Sequence, residues 1–327
     1  MKCSRAAGLL ALCIAAAARG DELKVISAVV LVETGLAAPS VELRSLAEDG
    51  AVWRTGINGW TFNIDRERPF GPGRRFILGL TATPYDAHSS RRMFRDGARA
   101  RELEFDDRAL TARAGMRIRQ GEHASIEPAV LVGKEWLRGD AAGALRDAWR
   151  SPYAGIAVAE RIRFVTAEDP LLARIEGVDL TATAEAYRGS RTWTRMAFAE
   201  RAGVPLRRVH LRQSLAAFGG SALDSVSAFL VGGSWDVLGP LAVAGRRYAE
   251  FRVSRGVVAG AGADVAVRRS FELGIRGSVF RGASARASGT MLLVTRHAGG
   301  VRIMAGVARS QSRTTVVVTL GGALFLR

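Results

Sequence analysis

Charged side chains recur at alternate positions along several stretches of the chain. The arginines with this spacing are Arg113, Arg117, Arg119, Arg252, Arg268, Arg276 and Arg302, and the carboxylates are Glu127, Glu250, Asp264 and Glu272. Residues two apart on a β-strand lie on the same face. A face of this kind can favour anions, as arginine rings do in channels. It can also be an interior network of ion pairs, because a charge removed from bulk water must be paired or wet.

Motifs for catalysis or metal binding are missing from the sequence. There is no G-x-S-x-G nucleophile elbow and no H-E-x-x-H zinc motif. The histidines are scattered at positions 88, 123, 210 and 297, and the cysteines are Cys3 and Cys13. We therefore expect no enzyme activity, no cofactor and no metal. A hydrolase whose serine, histidine and acid meet only in space is the weaker alternative.

Apolar and polar residues alternate with period two from end to end. In residues 109–121, for example, Leu110, Ala112 and Ala114 share one face, while Thr111 and Arg113 share the other. Such alternation predicts strands with one apolar and one polar face. About fifteen segments show it, at residues 25–35, 39–48, 51–65, 75–86, 109–121, 124–137, 153–166, 171–188, 192–204, 207–218, 245–255, 257–269, 272–283, 290–308 and 313–326.

The length of these segments separates two all-β architectures. A soluble sandwich would turn the apolar faces inward, whereas a membrane barrel turns them toward lipid and the polar faces into its lumen. Many of the segments exceed the usual strand length of about five or six residues. We therefore predict a transmembrane antiparallel β-barrel, most simply of 16 strands, with 12 or 14 possible because strand numbers are even in such barrels. Tyr153 and Trp193 are candidates for its outer aromatic girdles.

The N-terminus predicts export. Lys2 and Arg5 precede an apolar stretch from Ala6 to Ala18, and small residues follow. This pattern is typical of a secretory signal peptide, so residues 1–20 are predicted to be the signal and residues 21–327 the barrel. The expected location is the bacterial outer membrane, where the barrel would contact lipid. The formal charge of +16 fits acidic solutes or head groups better than nucleic acid, which we do not expect as a partner.

Residues 229–240 read FLVGGSWDVLGP. Phe229, Gly232 and Gly233 have the spacing F-x-x-G-G, and Val237 begins a second element three residues later. This resembles the long inward-folded loop of the bacterial surface antigen superfamily. In that superfamily the second element of the motif, which begins at Val237 here, reads V-R-G-F or V-R-G-Y. The superfamily includes the outer-membrane barrel-assembly translocase, two-partner secretion transporters and the barrel fused to some patatin-like phospholipases. The resemblance covers about residues 207–327 and implies an inward-folded loop at 229–247.

Two positions depart from the superfamily pattern together. Its loop arginine falls at Leu238, and the aspartate that meets this arginine in the lumen falls at Gly260. Losing one partner would leave a buried charge unpaired, whereas losing both does not. We expect another anchor for the loop, such as Arg246 or Arg247 bound to Asp264 or Glu250. Strand-like sequence begins near Lys24, so we expect no N-terminal periplasmic module.

The resemblance implies transport across, or protein insertion into, the outer membrane. The runner-up is a general diffusion porin or a purely structural barrel. The cargo would be a translocated protein or small anionic solutes. The candidate loop residues are Gly232, Gly233, Trp235, Val237, Leu238, Gly239, Gly245, Arg246 and Arg247, and the candidate lumenal residues are Tyr248, Glu250, Arg252, Asp264, Arg268, Glu272 and Arg276.

Overall fold

The computed structural model describes most of the chain after the predicted signal peptide. The described residues are 22–33, 36–47, 49–58, 61–83, 94–95, 98–99, 106–138, 152–169, 174–223, 227–234, 240–247, 250–298, 301–311 and 313–325. Within these residues, no helix is long and apolar enough to cross a membrane.

The first half of the chain forms ten strands. They are β1 Glu22–Glu33, β2 Leu36–Leu46, β3 Val52–Asn58, β4 Thr61–Pro69, β5 Arg74–Thr83, β6 Phe94–Arg95, β7 Ala98–Arg99, β8 Asp106–Gln120, β9 Ala124–Arg138 and β10 Tyr153–Asp169.

The second half forms ten more. They are β11 Arg174–Arg188, β12 Thr192–Leu206, β13 Val209–Ser221, β14 Phe229–Val231, β15 Phe251–Val253, β16 Arg255–Arg268, β17 Phe271–Gly282, β18 Arg286–Ala298, β19 Val301–Ser310 and β20 Arg313–Phe325.

Sixteen of the described strands form one closed barrel, from which only the short pairs β6–β7 and β14–β15 stand apart. Each barrel strand pairs with its neighbours in chain order, and β1 pairs with β20 in antiparallel fashion to close the sheet. Closure gives every barrel strand two partners, which is how a sheet avoids exposing an edge to lipid. The predicted fold class and the preferred strand number are confirmed.

The strand number agrees although three segments were assigned wrongly. The predicted strand 51–65 is two strands, β3 and β4, and 290–308 is also two, β18 and β19. The predicted strand 245–255 is wrong as a barrel strand, because its described residues Phe251–Val253 form β15, which pairs with β14, and the barrel strand β16 begins at Arg255. Alternation indicates a strand with one apolar and one polar face, but it does not identify the sheet that the strand joins.

The two faces of the wall differ in chemistry. On the outer face of β17 and β18, Ile275 is 53% exposed and Leu292 is 63% exposed, and similar apolar residues surround the barrel. On the inner face, ion pairs join strands that are far apart in the sheet, such as Arg302 of β19 with Asp169 of β10 and Arg174 of β11 with Glu272 of β17. Pairs between strands this far apart form across the interior, so they identify the lumenal face.

The connections differ in length at the two ends of the barrel. The intervals between β5 and β8, β9 and β10, and β13 and β16 are the long ones, and all three follow strands that run in the same direction. At the opposite end the intervals between barrel strands are five residues or fewer. Outer-membrane barrels place long loops outside the cell and short turns in the periplasm. The segment between β13 and β16 therefore starts and ends at the long-loop rim.

Candidate functional site: a lumenal loop held by a carboxylate

Pairs of arginines share single carboxylates on the inner wall. Asp179 accepts from Nε of Arg161 at 2.9 Å and from Nη2 of Arg201 at 2.8 Å. Glu67 lies 3.0 Å from Nη2 of Arg54 and 2.9 Å from Nη1 of Arg117. Both carboxylates are buried, and a buried charge is tolerated when it is paired and hydrogen-bonded. These four lumenal arginines thus take part in an ion-pair network.

The described residues 227–234, 240–247 and 250–253, which we call the lumenal loop, lie in this interior. Their two ends meet where β14 pairs with β15. Deeper in, the Val243 N–H donates to the Gly233 carbonyl at 2.7 Å, and the Gly232 N–H donates to the Leu241 carbonyl at 3.0 Å. Gly232 has a φ of +126°, and a Cβ there would stand 2.3 Å from the Arg247 carbonyl oxygen. Glycine is therefore required at this point for the loop to close on itself.

Apolar side chains fix the loop to the inner wall. Val231 and Val243 are fully buried, and Phe229 packs on Phe218 of β13 with ring centroids 4.7 Å apart. On the other side, Phe251 packs on Phe280 of β17 at 5.3 Å. Full burial of a side chain of this size contributes about 1.5–3 kcal/mol, so the cluster is a substantial part of what keeps the loop docked.

The loop backbone touches the wall directly next to two glycines. A Cβ added at Gly289 of β18 would lie 1.9 Å from the Ala244 carbonyl oxygen, and one added at Gly245 would lie 2.5 Å from the Ser310 backbone nitrogen. Between these points the Ala244 N–H donates to Oγ of Ser278 at 2.8 Å. Side chains at either glycine would hold the two backbones apart, so this contact depends on their absence.

Glu250 is the polar anchor of the loop. Its Oε1 lies 3.2 Å from Nη1 of Arg246, and its Oε2 accepts the Arg247 backbone N–H at 2.8 Å. Nη1 of Arg313, at the start of β20, lies 3.7 Å from the same Oε2. We call Glu250, Arg246 and Arg313 the carboxylate latch, because one buried acid joins two points of the loop to the wall.

Asp264, the other anchor considered from the sequence, lies on the inner wall. Its carboxylate binds Arg276 of β17 at 2.7 Å and Arg174 of β11 at 3.4 Å. Arg174 also binds Glu272, which lies 3.2 Å from Nε2 of His297. Asp264, Glu272 and Arg276 therefore lie together on the inner wall, as part of the ion-pair network.

The structure places the remaining candidate residues in different parts of the molecule or does not describe them. Trp235, Val237, Leu238, Gly239 and Tyr248 lie outside the described residues. Glu250 and Arg252 belong to the lumenal loop, not to a wall strand. Arg268 is exposed at the end of β16, where a register shift between Ala266 and Arg268 interrupts the alternation that would have placed it in the lumen.

Sequence reasoning missed several residues of the network and misplaced two aromatics. Asp179 sits on the polar face of the predicted strand 171–188, so alternation could have found it, although not its partners. Tyr153 and Trp193, expected in an outer girdle, lie on the inner wall, where the Tyr153 hydroxyl is 2.9 Å from Oγ1 of Thr111. The Tyr153 ring covers Gly133 of β9, where a Cβ would be 2.4 Å from it. Among the described residues, no cluster of histidine, cysteine or acidic side chains is arranged to hold a metal ion.

Comparison with known proteins relates this chain to others by its fold. No protein-family model and no curated protein matches the sequence. CdiB from Acinetobacter baumannii matches with a TM-score of 0.63 at 9% identity, over 92% of this chain and 60% of that one. BamA from Haemophilus ducreyi lacking POTRA domains 1-3 matches with a TM-score of 0.67 at 7% identity, over 93% of this chain and 70% of that one.

A second CdiB, from Escherichia coli, gives a TM-score of 0.58 at 12% identity, over 91% of this chain and 62% of that one. The chain thus spans about three fifths of the length of the CdiB structures. At identities this low the likeness establishes the fold.

Proposed function

We propose that this chain is a bacterial outer-membrane transport barrel whose lumen is closed by the lumenal loop. The observation that carries the proposal is the docking of the lumenal loop on the inner wall, with Val231, Val243 and Ala244 buried. A segment fixed there by apolar packing and by the carboxylate latch obstructs the path along the barrel axis. Passage then requires the loop to move, so the loop is a gate.

The outer membrane is the proposed location because the outer face is apolar where a soluble protein would be polar. Val130, Ile156 and Met196 are each more than half exposed on that face, and large contiguous apolar surfaces mark membrane or partner contact. The predicted signal peptide at residues 1–20 is consistent with export, and its cleavage is part of the proposal.

Transport is favoured over catalysis by the state of the acidic side chains. Catalytic carboxylates need a reacting group within reach, whereas Asp179, Glu67 and Glu250 are engaged by arginines. The cargo class follows from the arginine excess, which favours anions. A steadily open diffusion porin is the second candidate, and the buried packing of the loop weighs against it.

A disulfide that locks the loop tests the gate. Ala244 of the loop and Ala308 of β19 belong to one buried cluster, and the natural cysteines lie only in the predicted signal peptide. In planar bilayers, the oxidised double variant Ala244→Cys/Ala308→Cys should show no openings, and reduction should restore those of the natural protein. The single variants are the controls. Openings that are equal before and after reduction, with the disulfide verified by mass, would refute gating by this loop.

A further inference from the structure

Polar side chains interrupt the apolar outer face on neighbouring strands. Glu160 of β10 follows Ile156 and Val158 at two-residue spacing, and all three are exposed. Residues two apart on a strand share a face, so the Glu160 side chain points away from the lumen. Arg161, which binds the buried Asp179, points into it. Glu160 therefore lies near the middle of β10 on the face proposed to contact lipid.

Glu200 of β12 and Gln213 of β13 interrupt the same face. Their neighbours on this face include exposed apolar residues on both sides along each strand. These residues are Phe198, Val204, Leu211 and Leu215. Nε2 of Gln213 donates to Oε1 of Glu200 at 2.9 Å. A primary amide carries two N–H groups, so Gln213 has a second proton to donate.

Glu160 and Gln213 lie at about the same depth in the wall. The line of paired residues that contains Glu160 crosses the wall from Arg74, at the short-turn end of β5, to Arg281, at the long-loop end of β17. It passes through Ala217 on β13. With strands about 4.8 Å apart and tilted by about 40°, this line climbs by about 9 Å between β10 and β13. Gln213 lies four residues from Ala217 toward the short-turn end, which is a descent of about 10 Å along a tilted strand.

A carboxylate at this depth requires a partner. An ionisable group in an apolar membrane is costly unless it is paired, and it marks a functional contact by default. Within the described residues, Glu160 has no hydrogen-bond or ion-pair partner. Between the strands of Glu160 and Gln213, β11 presents the small exposed side chains of Ala182 and Ala184. These alanines leave room for another wall to approach closely.

We propose that the outer face of β10 to β13 binds a second copy of this chain across a two-fold axis along the membrane normal. A two-fold interface is self-complementary, so a residue on one flank of the patch meets the residue on the opposite flank of the other copy. Here the flanks are β10 and β13, which carry an acceptor and a donor at similar depth. The second N–H of Gln213 donates to the Glu160 carboxylate of the other copy, and the same bond forms in reverse.

The second copy is favoured over a different protein because one chain supplies both the acceptor and its donor. The inference rests on the proposed membrane position of this face, and it does not depend on the gate, because association does not require the lumenal loop to move.

Cross-linking in isolated outer membranes tests the interface. Ala182→Cys places a thiol near the proposed axis, and the natural cysteines lie only in the predicted signal peptide. A short bismaleimide should join two copies of this variant into a product of twice the chain mass. Leu292→Cys, exposed on β18 away from the patch, is the control and should stay a single chain. Both variants are first shown to be in the membrane fraction, so a failed cross-link counts against the interface and not against the membrane position.

Self-association of the purified full chain in phosphatidylcholine vesicles tests the bond between Gln213 and Glu160. Lipid dilution, followed by energy transfer between labelled copies, gives the dissociation constant. Gln213→Leu and Glu160→Leu should each raise this constant at least tenfold, whereas Glu160→Gln keeps an acceptor and should raise it less. Gln311→Leu makes the same change in the exposed turn after β19 and should leave the constant unchanged.

The proposal is overturned by equal cross-linking of Ala182→Cys and Leu292→Cys, or by a natural protein that stays monomeric at every lipid dilution. Equal dissociation constants in Gln213→Leu and Gln311→Leu would also overturn it. A cross-linked product of another mass would assign this face to a different membrane protein and overturn the second copy as its occupant.

Discussion

Glu250 and Arg246 form a buried ion pair inside the loop, with Oε1 and Nη1 3.2 Å apart. The same carboxylate accepts the Arg247 backbone N–H and lies near Arg313 of the wall. One acid thus determines both the shape of the lumenal loop and its attachment.

Glu250→Gln should release the loop. The amide can still accept the Arg247 N–H, but it leaves the buried Arg246 without its counter-charge, and breaking a buried pair typically costs about 3–5 kcal/mol. We expect more frequent channel openings and a lower unfolding temperature. Glu122→Gln makes the same chemical change in the exposed turn after β8 and should alter neither. If the two variants behave alike, the latch is not an anchor.

Gly289→Ala should lift the loop from β18 without changing any charge. The new methyl group would occupy the place of the Ala244 carbonyl oxygen, 1.9 Å away. Gly277→Ala on neighbouring β17 is the matched control, because a Cβ there meets nothing within 4 Å. Faster hydrogen exchange at residues 240–247 in Gly289→Ala alone is the expected result, and unchanged exchange would show that the close approach is unimportant.

Glu67→Gln should weaken the wall and leave the gate intact. It removes the acid shared by Arg54 and Arg117. Glu67 lies on β4, which is separated in the sheet from the strands that contact the loop, β13 and β17 to β20. We expect a loss of about 3 kcal/mol in the free energy of unfolding with unchanged channel openings. Glu168→Gln, in a more exposed pair with Arg163, should cost less than about 1 kcal/mol. Increased openings in Glu67→Gln would show that wall and gate are coupled.

Ile275→Arg tests the membrane-facing surface. Ile275 is on the outer face near the middle of β17, where an arginine should cost about 2–4 kcal/mol, whereas Phe271 at the end of the same strand should tolerate the change for about 0–1 kcal/mol. Folding into lipid vesicles, followed by heat-modifiable gel mobility, measures both. Equal folding of Ile275→Arg and Phe271→Arg would contradict a membrane position for this face.

Much of the barrel is predictable because alternation is local. The outward exposure of Leu110 and the inward position of Arg113 follow from strand geometry alone. The strand total agrees with the prediction because the splits at β3–β4 and β18–β19 offset the loss of 245–255. Residues Gly299 and Gly300 carry a turn signal that divides the run 290–308, and the two-residue interval between β18 and β19 matches it.

The site was less predictable because its contacts are long-range. Arg313 reaches Glu250 across 63 positions of sequence, and Asp264 is engaged by Arg174 from a strand three places away in the sheet. Tyr153 faces inward because Gly133 opposite it leaves space for a ring. Alternation defines two faces of a strand, whereas packing between distant strands selects the partners on each face.

Single-channel conductance of the full chain, compared with that of a loop deletion, tests directly whether the lumenal loop closes the barrel. The deletion joins Ser227 to Ser254 through a short glycine-serine turn and keeps all sixteen barrel strands. We predict that the channel of the natural protein is mostly closed with brief openings. The channel of the deletion variant should be steadily open and should favour anions. If the channel of the natural protein is instead steadily open, with the same conductance as the deletion variant, the lumenal loop does not close the barrel.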